Sequence, residues 1–325
     1  VLHVHGLHRD FANTQAHSSW LQRFQQSPEA WGTVHELLSR SGAEEIVQHF
    51  AAQTLVTKLQ QGHMPDGGSL NKELMQYLRN FWQGPSAVRR QLVIAMVDHQ
   101  LWRPAAEDGQ WISESIRLMS ENMDAAPSLV ELLLVVPEEA ANRKVVVERE
   151  RRSSFAVSML QHTRAVFDVL CKAAQGSEAL ASAALRACAR WLHLQHADPA
   201  LRGQKRAATN TAGGAAGLFC AEVVRTGMVQ DHPLVKQAAQ LLAESTCSLD
   251  LAQSCADVVS EVHALTNETT PHARTAIMLV VQAVVAASRR LLPLAEPYLE
   301  KWMPPGSALA QRTAILGRVV GELGG

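Results

Sequence analysis

Apolar residues return at helical spacing along almost the whole chain, and the helices they mark fall into pairs that recur at a nearly constant interval. Stripes at i, i+3 or i+4, and i+7 run through Leu74, Leu78, Phe81 and Trp82, through Val88, Leu92, Ala95 and Met96, and through Leu129, Leu132, Leu133 and Val136. Pro28, Pro85, Pro127, Pro233 and Pro271 sit near apparent first turns. There a missing N–H costs nothing and the fixed φ is already helical. Placing the second helix of each pair near residues 44, 85, 127, 178, 233 and 271 gives a period of roughly 40 residues, lengthened twice. A lone helix pair cannot bury its apolar face, so such pairs stack on their neighbours. The expected fold is therefore all-α, a HEAT-repeat α-solenoid forming a right-handed superhelix of antiparallel helix pairs. Periodicity alone leaves an irregular helical domain open.

Composition narrows the function classes. At 47% hydrophobic and 19% charged residues the chain of 325 is too apolar for disorder. Two Tyr, seven Phe and little β-branched alternation argue against a sandwich or barrel. Thirty basic against 31 acidic side chains leave a formal charge of −1, so no global field draws it to nucleic acid or an anionic membrane. The longest apolar stretch, 276–288, is interrupted by Gln282 and bounded by Arg274 and Arg289, too short for a bilayer core of about 30 Å. Cys171, Cys188, Cys220, Cys247 and Cys255 form no CxxC pair, and their odd number fits a reducing compartment better than a disulfide framework. The opening VLHVHGLHRD and the closing GELGG read as parts of a piece of something longer.

Two polar insertions interrupt the rhythm, at 137–152 and 196–214, and are expected as loops on one rim. Within the first, KVVVERE has strand propensity but nothing to pair with, and reads as loop or helix entry. Arg143, Lys144, Arg149, Arg151 and Arg152 alternate with Glu148 and Glu150, which favours a solvated helix entry over a site for an acidic partner. Arg202, Lys205 and Arg206 lack a second basic cluster and read as loop.

The segment AHSSWLQRFQQSPEAWGTVHELL, Ala16 to Leu38, followed by EEIVQHFAAQTLVTKLQ, Glu44 to Gln60, resembles the N-terminal repeats of the importin-β (karyopherin-β) superfamily. The resemblance lies in an Ala before a Trp-Leu pair, a Phe-Gln-x-Ser/Pro turn, an Ala-Trp, and the FAAQTL helix ending in Lys. LVELLLVVPEEAANR, Leu129 to Arg143, with Arg151-Arg152, and ALRACARWLHL, Ala184 to Leu194, resemble its transportin-SR and importin-thirteen branch. The likeness covers residues 16–195. It divides the chain into a leader, 1–15, expected to be disordered, the opening repeats, 16–61, and further HEAT repeats, 62–325.

The resemblance implies a nuclear transport receptor that binds GTP-loaded Ran, touches FG-nucleoporins, and ferries protein cargo while shuttling between cytoplasm and nucleus. Recognition of Ser/Arg-rich cargo belongs to a region outside this sequence. In the family the second helices line the concave face, which would put 44–60 and 85–100 among the Ran-binding repeats. On the first of these, Ile46, Val47, Phe50, Ala51 and Leu55 form the core stripe and leave His49, Gln53, Thr57 and Gln60 opposite. Gln53, Lys58 and Arg90 are the expected Ran contacts, with local stabilisation of the helix end an equal reading for Lys58. A HEAT scaffold of another kind, such as a phosphatase-type regulatory subunit, is the alternative.

Enzymatic constellations are missing from the sequence. No GxxxxGKS, GxGxxG, GxSxG or HExxH pattern occurs, so neither an enzyme nor a cofactor is expected. His3, His5 and His8 have ligand chemistry but no Cys or persuasive carboxylate beside them, and no metal is expected.

Overall fold

A computed structural model describes residues 1–9, 13–40, 43–65, 69–197, 237–238 and 248–266. Every regular element among them is a helix. The chain divides into two units, Val1–Phe155 and the part from Ala156 onward.

In the first unit the elements are α1 (Leu2–Arg9), α2 (Thr14–Gln26), α3 (Ala30–Ser39), α4 (Glu45–Gln60), α5 (Leu70–Asn80), α6 (Ser86–Trp102), α7 (Asp108–Ser120), α8 (Ala126–Ala141) and the start of α9 (Arg149–Leu160). Short connections fold α3 on α4, α5 on α6 and α7 on α8. The second helices also stack on one another, α4 on α6 and α6 on α8. This is the successive pair packing of an all-α HEAT-type solenoid. The second helices are enclosed on several sides and are buried nearly all round. From Leu92 to Leu101 only Ile94 is not fully buried, and from Ser128 to Ala140 only Glu131 and Glu138. The first helices α5 and α7 keep one wet face and a narrow apolar stripe, Leu74, Tyr77 and Leu78 on α5 and Trp111, Ile112 and Met119 on α7.

The leader departs from its expected disorder. Val4 is buried with Leu21 and Val47, and Leu7 packs beside them, so α1 has an apolar face that α2 and α4 cover. Gly6 allows the approach, since a Cβ there would lie 2.4 Å from the His17 ring. Residues 10–12 lie outside the described set.

The first insertion is shorter than its sequence suggests. Helix α8 runs through Pro137 to Ala141 and α9 begins at Arg149, leaving 142–148 as the connection. An interior proline costs roughly 3 kcal/mol, but Val135, Val136 and Pro137 are buried, and continuing the helix keeps that apolar surface out of water. The wide interval before the pair at 178 is thus occupied chiefly by the additional helix α9.

Two adjacent arginines on α9 fasten this region, contrary to the solvated entry expected of them. Arg151 makes a bidentate ion pair with Asp108, with both Nη1–Oδ2 and Nη2–Oδ1 at 2.7 Å, and donates to the carbonyls of Arg103 and Gln100. Asp108 is 0% exposed and also accepts from Gln100 Nε2. Arg152, pointing elsewhere, donates to the carbonyls of Glu139, Ala140 and Val145. Both side chains serve carbonyls that helix ends leave without intrahelical donors.

The C-terminus of α4 is closed from outside its own pair. Gly62, with φ at +78°, carries the chain through a left-handed turn in which His63 N–H donates to Lys58 O and Gly62 N–H to Leu59 O. Trp102, at the end of α6, lies against Gly62 and donates its indole N–H to Leu59 O at 2.8 Å. Val146 N–H, from the connection after α8, donates to Gln60 O.

In the second unit α10 (Thr163–Ala173) packs on α11 (Glu178–Ala197), and α11 on α12 (Leu249–Thr266). Leu185, Cys188 and Trp191 form the fully buried seam of α11, while Ser182 donates to Asp250 at 2.6 Å and shares a bond with Ser254. Residues 198–214 of the second insertion, and the apolar stretch 276–288, lie outside the described set.

Breaking the α9 clamp from one side leaves a buried charge without a partner, and Arg151→Ala is expected to cost about 3–5 kcal/mol. Urea denaturation of the whole chain, with Arg149→Ala as an exposed neighbour expected to shift little, measures it.

Candidate partner-binding face

The second-helix layer of the first unit carries one exposed polar stripe per helix. On α4 the accessible face runs through Glu45, Ile46, His49, Phe50, Gln53, Thr57 and Gln60, at the three- and four-residue steps of a helix. On α6 it includes Ala87, Arg90, Gln91 and Ile94, with Ser86, Arg89 and Trp102 also accessible, and on α8 Pro127, Glu131, Glu138 and Ala141, with Ala126 also accessible. Neutral amides and hydroxyls dominate α4, while α6 and α8 contribute a cation between two carboxylates.

The three expected contact residues meet different fates. Gln53 is exposed at the centre of the α4 stripe. Lys58 is 2% exposed and donates from Nζ to Ser27 O at 2.8 Å, above the Trp31 ring. It therefore holds α4 to the turn before α3, which is the local-stabilisation reading of this residue. Its position, one residue beyond Thr57, turns it about 100° away from the stripe. Burial pushes its ammonium pKa down, against the pull of Glu29. Arg90 reaches the stripe but is engaged, donating to Glu131 and, at 2.8 Å, to Glu138. Burial works against the guanidinium charge, and the two glutamates more than offset it. Glu131 and Glu138 were not singled out in the sequence. Their seven-residue spacing inside an otherwise apolar run is the signal that would have found them.

Below the stripe Asp98 is 0% exposed, and neither carboxylate oxygen has a hydrogen bond of normal geometry. Burial, and then the neighbouring Glu139, raise its pKa to about 8, while Gln60 and Arg152 pull it down. Next to it on α6, burial and then Arg103 lower the His99 pKa to about 4. The inner ends of α4, α6 and α8 thus meet around groups that prefer to be neutral.

His3 pairs with His17, Nδ1 to Nδ1 at 3.0 Å, and stacks on Trp20, whereas His5 faces Glu44. Among the described residues no group of three or more His, Cys, Asp or Glu is arranged to hold a metal ion. No described helix is long and apolar enough to cross a membrane.

No protein-family model matches the chain. Transportin MOS14 of Arabidopsis thaliana is 32% identical over 189 residues, an alignment that takes in 55% of this chain and 19% of the relative. Over that part the chain is similar to a transportin. The transportin likeness agrees with the resemblance carried by the FAAQTL helix, and it does not favour the regulatory-scaffold alternative. The match spans 19% of that relative's length, so the activity of a whole transportin remains a matter for proposal.

The Asp98 geometry gives a pH dependence of definite sign. Its folded pKa of about 8 lies above the ordinary carboxylate value of roughly 4. The stability it contributes is therefore fully present below that ordinary value and is lost as pH rises toward 8. Relative to the natural chain, Asp98→Asn is expected to gain stability steadily between pH 5 and about pH 8 and to level off above. Urea midpoints of the two proteins across that range check it, and parallel profiles would remove Asp98 from the account.

Proposed function

We propose that this chain is a Ran-binding part of a nuclear transport receptor, acting through protein surfaces rather than covalent chemistry. The observation that carries the reading is the transportin likeness over 189 residues. The polar stripe on α4, α6 and α8 supports it, because the second helices of stacked pairs offer one continuous layer to a folded partner. In this reading the GTP form of Ran docks on that layer, with Gln53 and Arg90 as contacts and Lys58 as an internal brace. The complete receptor touches FG-nucleoporins, carries protein cargo, Ser/Arg-rich proteins included, and shuttles between cytoplasm and nucleus.

Arg90 has a particular role in such an encounter. Docked on Glu131 and Glu138, its guanidinium is already oriented and partly desolvated, so a partner meets it without ordering a free side chain. Gln53 offers both a donor and an acceptor on a rigid helix.

Titration of the chain with Ran carrying a non-hydrolysable GTP analogue, and separately GDP, tests the proposal. Tighter binding of the GTP form is expected, with Gln53→Ala and Arg90→Ala each weakening it by about 1–3 kcal/mol if they belong to a hot spot. Lys58→Met should lower the denaturation midpoint without a comparable change in affinity. Equal affinity for the two nucleotide states would end the Ran reading.

A further inference from the structure

The first-helix side of the same unit holds a groove that the proposed function does not use. Helices α5 and α7 stand apart there, over the end of α6, and enclose a cavity of about 610 Å³. Its apolar lining comes from Met75, Trp111 and Leu118, with the amides of Gln76, Gln100 and Gln110 around it.

The charges in this groove do not balance locally. Glu107 is paired with Arg103 and Glu114 with Arg117. Lys72 and Arg79, both exposed on the α5 wall, have no ion-pair partner among the described residues. They are seven residues apart, so two helical turns separate them by about 10 Å along the axis. That is close to the rise of three residues of peptide in the extended polyproline II conformation, about 9 Å, whose three-residue turn brings the fourth side chain back to the side of the first. Between them, one turn from Lys72, lies Met75. Across the groove Trp111 is 6% exposed, and its indole N–H has no hydrogen-bond acceptor. A wall with two cations in series, an apolar centre and an unsatisfied N–H donor suits a chain that brings two anions, an apolar side chain and backbone carbonyls.

We propose that the α5–α7 groove binds an extended acidic peptide segment, with carboxylates three residues apart at Lys72 and Arg79 and an apolar side chain between them against Met75, Trp111 and Leu118. The cations supply the charge recognition, and their spacing sets the register. The exposed amide of Gln110 is left to meet the peptide backbone, since the Gln76 and Gln100 amide nitrogens already donate to Asn80 and Asp108. Since Glu107 and Glu114 are already neutralised by arginines, they do not repel the incoming chain.

A fluorescein-labelled peptide with the core Asp-Ala-Leu-Asp, titrated with the whole chain and followed by anisotropy at low salt, tests this site. Saturable binding is expected. The double variant Lys72→Glu and Arg79→Glu should weaken it tenfold or more, and Lys144→Glu, an exposed cation on the connection after α8, should leave it unchanged. The isomer Asp-Asp-Ala-Leu, with the same charge and composition, should bind several-fold more weakly. Circular dichroism establishes that the variants are folded, and Lys72→Gln with Arg79→Gln replaces the reversal should that one unfold. No saturable binding at millimolar peptide, equal affinity of the charge-altered chain, or equal affinity of the two isomers would overturn the proposal.

Discussion

The later helices of the first unit depend on the buried pair between Arg151 and Asp108. Its geometry is bidentate, its acid is wholly out of water, and the same guanidinium reaches two carbonyls near the end of α6. Three helices are thereby fixed at one point: the end of α6, the start of α7 and, beyond α8, the start of α9. A buried ion pair adds little net stability against an apolar substitute of the same shape, yet it penalises every arrangement that separates the charges. Here it fixes how the additional helix meets the repeat before it. Arg152 completes the arrangement by closing α8, so two neighbouring positions in sequence close two different helices.

Architecture was legible in the sequence where burial depended on periodicity. The starts placed near 44, 85, 127 and 178 fall within a residue or so of α4, α6, α8 and α11. The exposed positions His49, Gln53, Thr57 and Gln60 follow from the same 3.6-residue step. Elements that depended on tertiary contacts were harder to read. Pro137 looked like a terminator because its local cost is visible in sequence and the packing of α8 is not. The leader looked disordered because its covered apolar residues among those described, Val4 and Leu7, are few and separated by a glycine that admits His17.

The charged residues of the candidate face show the same limit from the other side. Lys58 and Arg151 have the composition of surface residues, and only three-dimensional partners reveal them as internal fastenings. Arg90 has the opposite character: it stays at the surface, but two glutamates from the next pair determine where it points. Long cationic side chains bury their stems readily, so residue type alone leaves open the direction each takes. Gln53, whose partner-free place on α4 depends only on helical phase, was the easiest of the three to place.

The closure of α4 has a thermodynamic consequence for the array. In an ideal repeat protein each pair carries its own stability and adds a nearest-neighbour term, so terminal pairs can melt while the others stand. Here the last carbonyls of α4 are satisfied by Trp102 at the end of the following pair and by Val146 beyond the pair after that. Losing Trp102 leaves Leu59 O to its local turn donor alone, and losing the connection after α8 strips Gln60 O of the Val146 N–H. The coupling therefore extends past adjacent pairs, and melting in the first unit is driven toward a single cooperative transition rather than a zipper opening from one end.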